Sequence, residues 1–269
     1  MAKTIKKTVT TTVTEEIITN EITHICAILD TSGSMSSIIK ESINAFNGFL
    51  KTQRELSDEC TITINLFDDK FETIVENKNL KEVADVTDEQ WCPRGLTALY
   101  DSIGKSISNA KSSFSKSGAN KPAKVLVCIV TDGQENASKE YNATTIKKLI
   151  KDCEKENWNF MYLASGQDAF VVGSQFGMSA GNTYSFMAND VSAFHGAMGQ
   201  MSASATAYRS MSTTDMNFNA KSKKLIDENN KDVNDGTVTI DSTGIITTNA
   251  ATTDNTDTTY VQGKNVTIT

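Results

Sequence analysis

Apolar runs that end near an acidic residue alternate with helical patterns, and this alternation constrains the fold more than any other feature of the sequence. The run His24–Leu29 ends at Asp30, and the unbroken run Val125–Val130 is followed shortly by Asp132. Unbroken apolar runs are typical of parallel strands that are covered on both faces. Strands that alternate with helices predict an α/β fold with a doubly wound, mostly parallel sheet flanked by helices.

Periodicity places the individual elements along this region. Strands are predicted over Ile22–Asp30, Thr61–Phe67, Phe71–Val75, Val125–Val130, Asn159–Ala164 and Asn182–Phe186. Helical segments are predicted over Ile39–Leu50, Leu99–Phe114, Ile146–Cys153, Gly166–Gly177 and Val191–Met211. Between the second and third strands, Asp68 and Asp69 have the character of solvated hairpin-turn residues, and we expect this role rather than metal binding.

Oxygen-bearing side chains follow the ends of two of these strands. Asp30, Ser32 and Ser34 come directly after the first strand, Thr97 opens a helix, and Asp132 follows the long apolar strand. Carboxylate and hydroxyl oxygens suit hard cations such as Mg²⁺, Mn²⁺ or Ca²⁺. Doubly wound sheets bind ligands at the carboxyl ends of strands, where the strand order reverses. If the two strands are neighbours at that point, the five side chains converge on one crevice.

Three short motifs carry a family resemblance. They are Asp-x-Ser-x-Ser from Asp30, Gly-x-Thr-Ala-Leu-Tyr-Asp from Gly95, and Thr-Asp-Gly from Thr131. In this order they resemble the metal-ion-dependent adhesion site (MIDAS) of von Willebrand factor A domains. The similarity covers about residues 21–212 and includes the region from Gly166 seen in bacterial and phage-type members. The resemblance implies a Rossmann-like fold for this region.

The resemblance also implies roles for the five residues. Ser32, Ser34 and, in the ligand-competent state, Thr97 would coordinate Mg²⁺, or Mn²⁺ or Ca²⁺, directly, while Asp30 and Asp132 would hold its waters or approach it more closely. Family members bind a protein partner whose Asp or Glu carboxylate completes the coordination. In relatives, an exchange between threonine and aspartate coordination of the metal is coupled to displacement of the last helix, which here is the helix predicted over Val191–Met211.

A non-enzymatic, metal-dependent protein-binding module is therefore the function we expect. A metal-dependent hydrolase is the alternative, because a cluster of oxygen ligands also suits phosphoryl chemistry. Against it, no general base is paired with a nucleophile near the motifs, and a glycine-rich phosphate loop is missing. His24 and His195 fall outside the motifs, and we expect both to be structural or surface residues.

The chain ends have a different composition from residues 21–212. Residues 1–20 form a Thr-rich extension, residues 213–235 a polar linker, and residues 236–269 a Thr-rich tail with strand-like alternation. The termini could pair into a small β-rich element that anchors the protein in a larger assembly, as in a structural or decoration protein of a phage particle. A soluble tail without fixed structure is the alternative, and the sequence leaves both open.

Charge and cysteine content narrow the partners and the compartment. The net charge is −7 and no basic block is present, which argues against nucleic-acid binding. There is neither a long apolar run nor an apolar leader segment, so we expect no membrane insertion and no classical secretion. Five scattered cysteines are typical of a reduced protein. We expect a cytoplasmic location in a bacterial host, or the virion if the protein is phage-encoded.

Overall fold

The computed structural model describes residues 21–118, 121–165, 168–178, 182–187, 190–213, 238–240, 246–248 and 266–268. The extension predicted over residues 1–20 lies outside the described residues, as does nearly all of the linker predicted over residues 213–235. Gly166 and Gln167, which belong to the region of family resemblance, lie outside them too.

A six-stranded sheet forms the centre of the protein, and its strands confirm the predicted ones. Its strands are β1 (Thr23–Asp30), β2 (Cys60–Phe67), β3 (Phe71–Asn79), β4 (Lys124–Thr131), β5 (Trp158–Ser165) and β6 (Thr183–Phe186). The order is β3-β2-β1-β4-β5-β6, and every neighbouring pair is parallel except β2 and β3, which form a hairpin. The sheet is therefore mostly parallel, as predicted.

Helices cover both faces of this sheet. They are α1 (Ile39–Arg54), α2 (Leu99–Lys116), α3 (Ala143–Glu154), α4 (Asp168–Gln175) and α5 (Val191–Ser210). α1 and α5 pack on one face and α2, α3 and α4 on the other, so successive side chains of β4 enter different cores. In the described part of the chain, no helix is both long enough and apolar enough to cross a membrane.

The winding of the chain places a switch point between β1 and β4. From β1 the chain moves outward through α1, β2 and β3, and then returns through α2 to β4 on the other side of β1. From β4 it continues outward in the opposite direction to β6. Connections leave β1 and β4 on opposite sides, so the carboxyl ends of these two strands border a crevice. The fold is thus the doubly wound α/β fold that the sequence predicts.

The β2–β3 hairpin corrects one expectation. Asp69 is exposed, but Asp68 is only 1% exposed and is not a solvated turn residue. Its carboxylate accepts hydrogen bonds from the backbone of Lys70 at 2.6 Å and from Arg94 Nε at 2.8 Å. Local turn preference placed Asp68 in solvent, whereas the loop that carries Arg94 covers it and provides its counter-ion.

The two ends of the main domain meet at the amino-terminal edge of the sheet. The Glu21 carboxylate accepts hydrogen bonds from the Thr213 backbone at 2.8 Å and from the Thr213 hydroxyl at 2.6 Å. Nearby, Lys124 is buried, and its Nζ donates to the carbonyl oxygens of Arg209, at 2.6 Å, and Met211. These contacts hold the C-terminal end of α5 against the start of β4.

Three short strands form a second sheet within the C-terminal tail. They are β7 (Val238–Ile240), β8 (Ile246–Thr248) and β9 (Val266–Ile268), in the order β8-β7-β9. β8 is antiparallel to β7 and β9 is parallel to it. The described strands of this sheet all come from the tail, and the predicted contribution of residues 1–20 falls outside the described residues.

Candidate metal-binding site

The turn after β1 is organised around the carboxylate of Asp30, which is fully buried. Its Oδ1 accepts a hydrogen bond from the backbone N–H of Ser32 at 2.6 Å, and its Oδ2 accepts one from the hydroxyl of Thr131 at 2.5 Å. The indole N–H of Trp91 donates to the backbone carbonyl of Asp30 at 2.7 Å. Asp30 therefore ties the turn to the end of β4.

Ser34 completes the link between the two strand ends. Its hydroxyl donates to Asp132 Oδ1 at 2.6 Å and lies 3.1 Å from the hydroxyl oxygen of Ser32. Ser34 is exposed, Asp132 is partly exposed and Ser32 is buried, so this group of oxygens opens from the protein interior towards solvent.

Thr97 reaches the same place from the loop before α2. The loop is fixed to the β1 turn by hydrogen bonds from Gly33 N–H to the Gly95 carbonyl at 3.2 Å and from Arg94 N–H to the Thr31 carbonyl at 2.5 Å. These bonds hold the buried Thr97 side chain close to the turn that carries the two serines.

Gly133 marks a small space that three hydroxyl groups surround. A Cβ atom added to Gly133 would lie 2.8 Å from Thr97 Oγ1, 3.3 Å from Ser34 Oγ and 3.5 Å from Ser32 Oγ. The structure thus brings together all five side chains that the sequence singled out. The missing side chain of Gly133, which belongs to the Thr-Asp-Gly motif, leaves the space between the hydroxyls open.

Neither carboxylate of the site is paired with a Lys or Arg among the described residues. Burial raises the pKa of Asp30 to about 6, and the nearby charge of Asp132 adds to that rise. Burial also raises the pKa of Asp132, against the hydrogen bond that it accepts from Ser34. Hydrogen bonds from Ser32, Thr131 and Ser34 offset part of the cost of burying these carboxylates, and a bound cation would offset more of it.

The donor set fits a hard divalent cation. It contains two carboxylates and three hydroxyls and no nitrogen or sulfur, which is the chemistry that Mg²⁺, Mn²⁺ and Ca²⁺ prefer. Over the described part of the chain, no three His, Cys, Asp or Glu side chains cluster as metal ligands. A site here would depend on hydroxyl oxygens as much as on carboxylates, which distinguishes it from the His- and Cys-rich sites typical of zinc.

The loop after β4 contains supporting residues that the sequence analysis missed. The Asn136 side chain accepts a hydrogen bond from the Thr97 N–H at 2.8 Å, and the Asn136 N–H donates to the Thr97 carbonyl at 3.0 Å. Glu135 accepts from the Tyr100 N–H at 2.9 Å, which fixes the loop to the first turn of α2. No periodicity or spacing marks Asn136, because its role depends on a loop 39 residues away in sequence.

Asp101 supports the same loop from the α2 side. Its carboxylate accepts three backbone hydrogen bonds, from Lys139 and Glu140 at 2.9 Å and from Tyr141 at 2.8 Å. Asp101 closes the Gly-x-Thr-Ala-Leu-Tyr-Asp motif, so a signal for it was present in the sequence. The loops that carry Thr97 and Asp132 are therefore held as one unit.

Strand order and site together define an α/β protein with an oxygen-rich cluster at the switch point of a doubly wound sheet. No protein-family model matches the sequence, and no curated protein matches it. Solved structures with similarity include a von Willebrand factor type A protein from Catenulispora acidiphila, with 14% identity and a TM-score of 0.47 over 69% of this chain and 43% of that chain. The similar region therefore spans less than half of the Catenulispora chain.

Two further structures show a comparable likeness. Manganese-loaded TRAP protein from Plasmodium vivax has 16% identity and a TM-score of 0.45 over 65% of this chain and 72% of that one. Proximal thread matrix protein 1 from the mussel byssus, with a zinc-occupied MIDAS motif, has 16% identity and a TM-score of 0.49 over 69% of this chain and 46% of that one. Because these scores are low, the fold is assigned from the chain's own strand order and connections.

Proposed function

We propose that this protein is a non-enzymatic, metal-dependent protein-binding module of the von Willebrand factor A type. A divalent cation at the switch point would capture an Asp or Glu carboxylate of a partner protein. One observation carries this proposal. Three hydroxyl groups surround the space beside Gly133, next to the buried carboxylate of Asp30 and the partly exposed carboxylate of Asp132.

In this proposal the neutral side chains and the charged side chains contact the metal ion in different ways. The neutral hydroxyls of Ser32, Ser34 and Thr97 would be direct ligands, and Asp30 and Asp132 would hold the waters of the ion or approach it more closely. A bound ion with mostly neutral ligands keeps much of its positive charge and accepts a carboxylate oxygen from outside. Direct ligation by both aspartates would neutralise the ion and weaken that attraction.

Mg²⁺ is the ion that we propose, with Mn²⁺ and Ca²⁺ as alternatives. All five donors are oxygens, which favours these hard cations. Two of the compared structures hold manganese and zinc. Their TM-scores of 0.45 and 0.49 are too low to bear on the choice of ion for this chain.

The absence of catalysis is part of the proposal and is supported by the surroundings of the acid and base groups. Glu135 and Asp101 lie beside the site, but backbone amides occupy their carboxylates. His24 is buried near the opposite end of β1, where it contacts Thr61 and Phe114. Neither acid nor this histidine is placed to act as a general base at the site.

Anchoring of the protein in a larger assembly through its termini remains a prediction. The hydrogen bonds between Glu21 and Thr213 show only that the chain enters and leaves the main domain at one place. This place is at the end of the sheet opposite the candidate site. The bacterial cytoplasm and the virion likewise remain predictions.

Thermal unfolding in Mg²⁺ and in EDTA tests the metal site. The wild-type protein should melt at a higher temperature in Mg²⁺, because a ligand at about 100 times its Kd adds about 2.7 kcal/mol to the free energy of unfolding. Ser34→Ala should lose most of this gain. Ser36→Ala is the matched control, because the Ser36 hydroxyl is in the same turn but donates only to the Gly33 carbonyl. Identical melting temperatures of the wild-type protein in both buffers would contradict the proposal of a metal site.

Partner capture is tested separately. A mixed protein extract from the native source is passed over the immobilised full chain, once in Mg²⁺ and once in EDTA. Thr97→Ala should retain no Mg²⁺-dependent partner, whereas Thr97→Ser keeps the hydroxyl and should retain it. Equal capture by both variants would contradict the role given to the Thr97 hydroxyl.

A further inference from the structure

Large apolar side chains are exposed at four positions among the residues whose side chains the structure describes. The exposed fractions are 57% for Leu96, 54% for Val171, 71% for Met187 and 41% for Val191. Single exposed apolar residues are normal on protein surfaces and need no explanation. Their distribution is what distinguishes these four.

All four lie at the carboxyl-terminal edge of the sheet, which is the end at which the parallel strands have their carboxyl termini. Leu96 immediately precedes Thr97, and Val171 is in the first turn of α4, which follows β5. Met187 directly follows β6, and Val191 begins α5. Because β1, β4, β5 and β6 are parallel, their carboxyl ends share one edge, and this is the edge that carries Asp30 and Asp132.

The apolar residues also lie on both sides of the candidate metal site. The loop of Leu96 is bonded to the β2 side, because the Asp68 carbonyl accepts a hydrogen bond from Ala98 N–H at 3.0 Å. Val171, Met187 and Val191 lie on the β5 and β6 side. Strands are about 4.8 Å apart, so the end of β6 is roughly 10 Å from the end of β4. A partner segment of ordinary size spans that distance.

Other exposed surfaces have a different character. The exposed positions of α3 include Lys147, Lys148 and Lys151, and the exposed face of α2 is formed largely by serine and lysine. Exposed apolar side chains beside these carboxylates and hydroxyls do not contribute to the stability of the fold, because they remain in contact with water. Binding is a reason for their presence, since interfaces combine apolar contact area with a few polar groups that fix orientation.

We propose that this edge is a composite docking surface for a protein segment in which one Asp or Glu is flanked on both sides by apolar side chains. The inference rests on the proposed function and adds the chemistry of the partner. The metal site fixes where the carboxylate sits. The apolar side chains of Leu96 on one side and Met187 on the other supply contact area that a purely acidic partner cannot use.

Two synthetic peptides test this inference. Both are capped pentapeptides with a central Asp, which is flanked on each side by Leu-Phe in one and by Ser-Gly in the other. Calorimetric titration into the full chain in Mg²⁺ at several temperatures should show about tenfold tighter binding of the Leu-Phe peptide. Its binding should also have a more negative heat-capacity change, which reports apolar burial.

Variants localise the effect. Leu96→Ser and Met187→Ser should each reduce the advantage of the Leu-Phe peptide at least about threefold, by loss of apolar contact. Lys148→Ser, on the exposed face of α3, should leave it unchanged. Mg²⁺-dependent melting of every variant is measured in parallel to show that the metal site is intact.

The possible results separate the two proposals. Equal affinities for the two peptides, with Mg²⁺-dependent binding of both, would overturn the docking surface and leave carboxylate capture in place. An advantage that survives both Leu96→Ser and Met187→Ser would overturn it as well. Failure of both peptides to bind although Mg²⁺ stabilises the protein would overturn carboxylate capture, and the docking surface with it.

Discussion

Thr97 and Asn136 are joined by a reciprocal pair of hydrogen bonds. The Thr97 N–H donates to the Asn136 side-chain oxygen at 2.8 Å, and the Asn136 N–H donates to the Thr97 carbonyl at 3.0 Å. Asn136 is on the loop that begins with Asp132. The pair therefore fixes the position of one proposed metal ligand relative to another, although the two loops are far apart in sequence.

Asn136→Ala should weaken Mg²⁺ binding. Residues that orient metal ligands typically contribute 10- to 100-fold in affinity, and we expect about tenfold here because the second hydrogen bond comes from the backbone and remains. Calorimetric titration with Mg²⁺ measures the change. Asn136→Asp keeps the acceptor oxygen and serves as the control. A similar loss in both variants would argue against the hydrogen bond to Thr97 N–H as the cause.

Gly133→Ala should abolish Mg²⁺ binding and leave the fold intact. The added Cβ would lie 2.8 Å from Thr97 Oγ1 and would fill the space between the three hydroxyls. The control is Gly48→Ala, because a Cβ at Gly48 in α1 meets nothing within 4 Å. Circular dichroism and Mg²⁺-dependent melting check both variants. Full Mg²⁺ stabilisation of Gly133→Ala would show that an ion binds elsewhere.

His24 should make the protein sensitive to acid. Burial lowers the pKa of its imidazole from 6.5 to about 3, so the folded state keeps the ring neutral where the unfolded chain is protonated. Above the unfolded pKa this group has no effect. As the pH falls from 6.5 towards 3, the free energy of unfolding should decrease by up to about 1.4 kcal/mol per pH unit.

His24→Phe removes this titration and keeps an aromatic ring beside Phe114, which His24 contacts at a centroid distance of 4.9 Å. Urea unfolding of both proteins at pH values of about 7.5, 5.5 and 4.5 tests the claim across the window in which the linkage acts. The wild-type protein should lose more stability than the variant on acidification. Parallel losses would exclude His24 as the source.

Arg209→Met should destabilise the fold by about 2 kcal/mol, because it removes the charged hydrogen bonds of a buried guanidinium, whereas Asp58, whose side chain is 33% exposed, stays partly solvated. The Arg209 side chain is only 1% exposed, and it donates to both Asp58 carboxylate oxygens at 2.9 Å and to the Gln53 carbonyl at 2.6 Å. Mg²⁺ binding should persist, because Arg209 is at the end of α5 opposite the site.

Arg54→Met is the matched control for this prediction. Arg54 pairs with Asp85, whose side chain is 62% exposed, and surface pairs contribute about 0–1 kcal/mol. Denaturant unfolding of both variants gives the comparison. Equal losses of stability would contradict the buried character of the Arg209 contacts.

Local patterns were sufficient for the elements and for much of the site. The run Val125–Val130 predicted a strand buried on both faces, and β4 is that strand. The prediction that β1 and β4 are neighbours was conditional, and the structure confirms it. It succeeded because crossover connections in α/β sheets follow few paths, so strand ends with polar motifs are brought together at the switch point.

Contacts between distant loops were not predictable. Asp68 was expected in solvent because turn preferences describe only its neighbours in sequence, whereas Arg94 reaches it from another loop. Trp91, in a segment with a weak pattern, donates its indole N–H to the Asp30 carbonyl. Both contacts depend on how the segment before α2 returns to the sheet, which no periodicity records.

The sequence by itself determined the doubly wound fold and the five oxygen-bearing side chains, because periodicity and the positions of strand ends are local properties of the chain. Tertiary structure alone decided the environment of those side chains. It buried the carboxylate of Asp30 close to the partly exposed Asp132, placed Gly133 beside three hydroxyls, and gathered the exposed apolar residues on the same edge. The burial of a side chain and its distance from other side chains depend on contacts between segments far apart in sequence. Local sequence patterns do not contain this information, and it is present only in the folded chain.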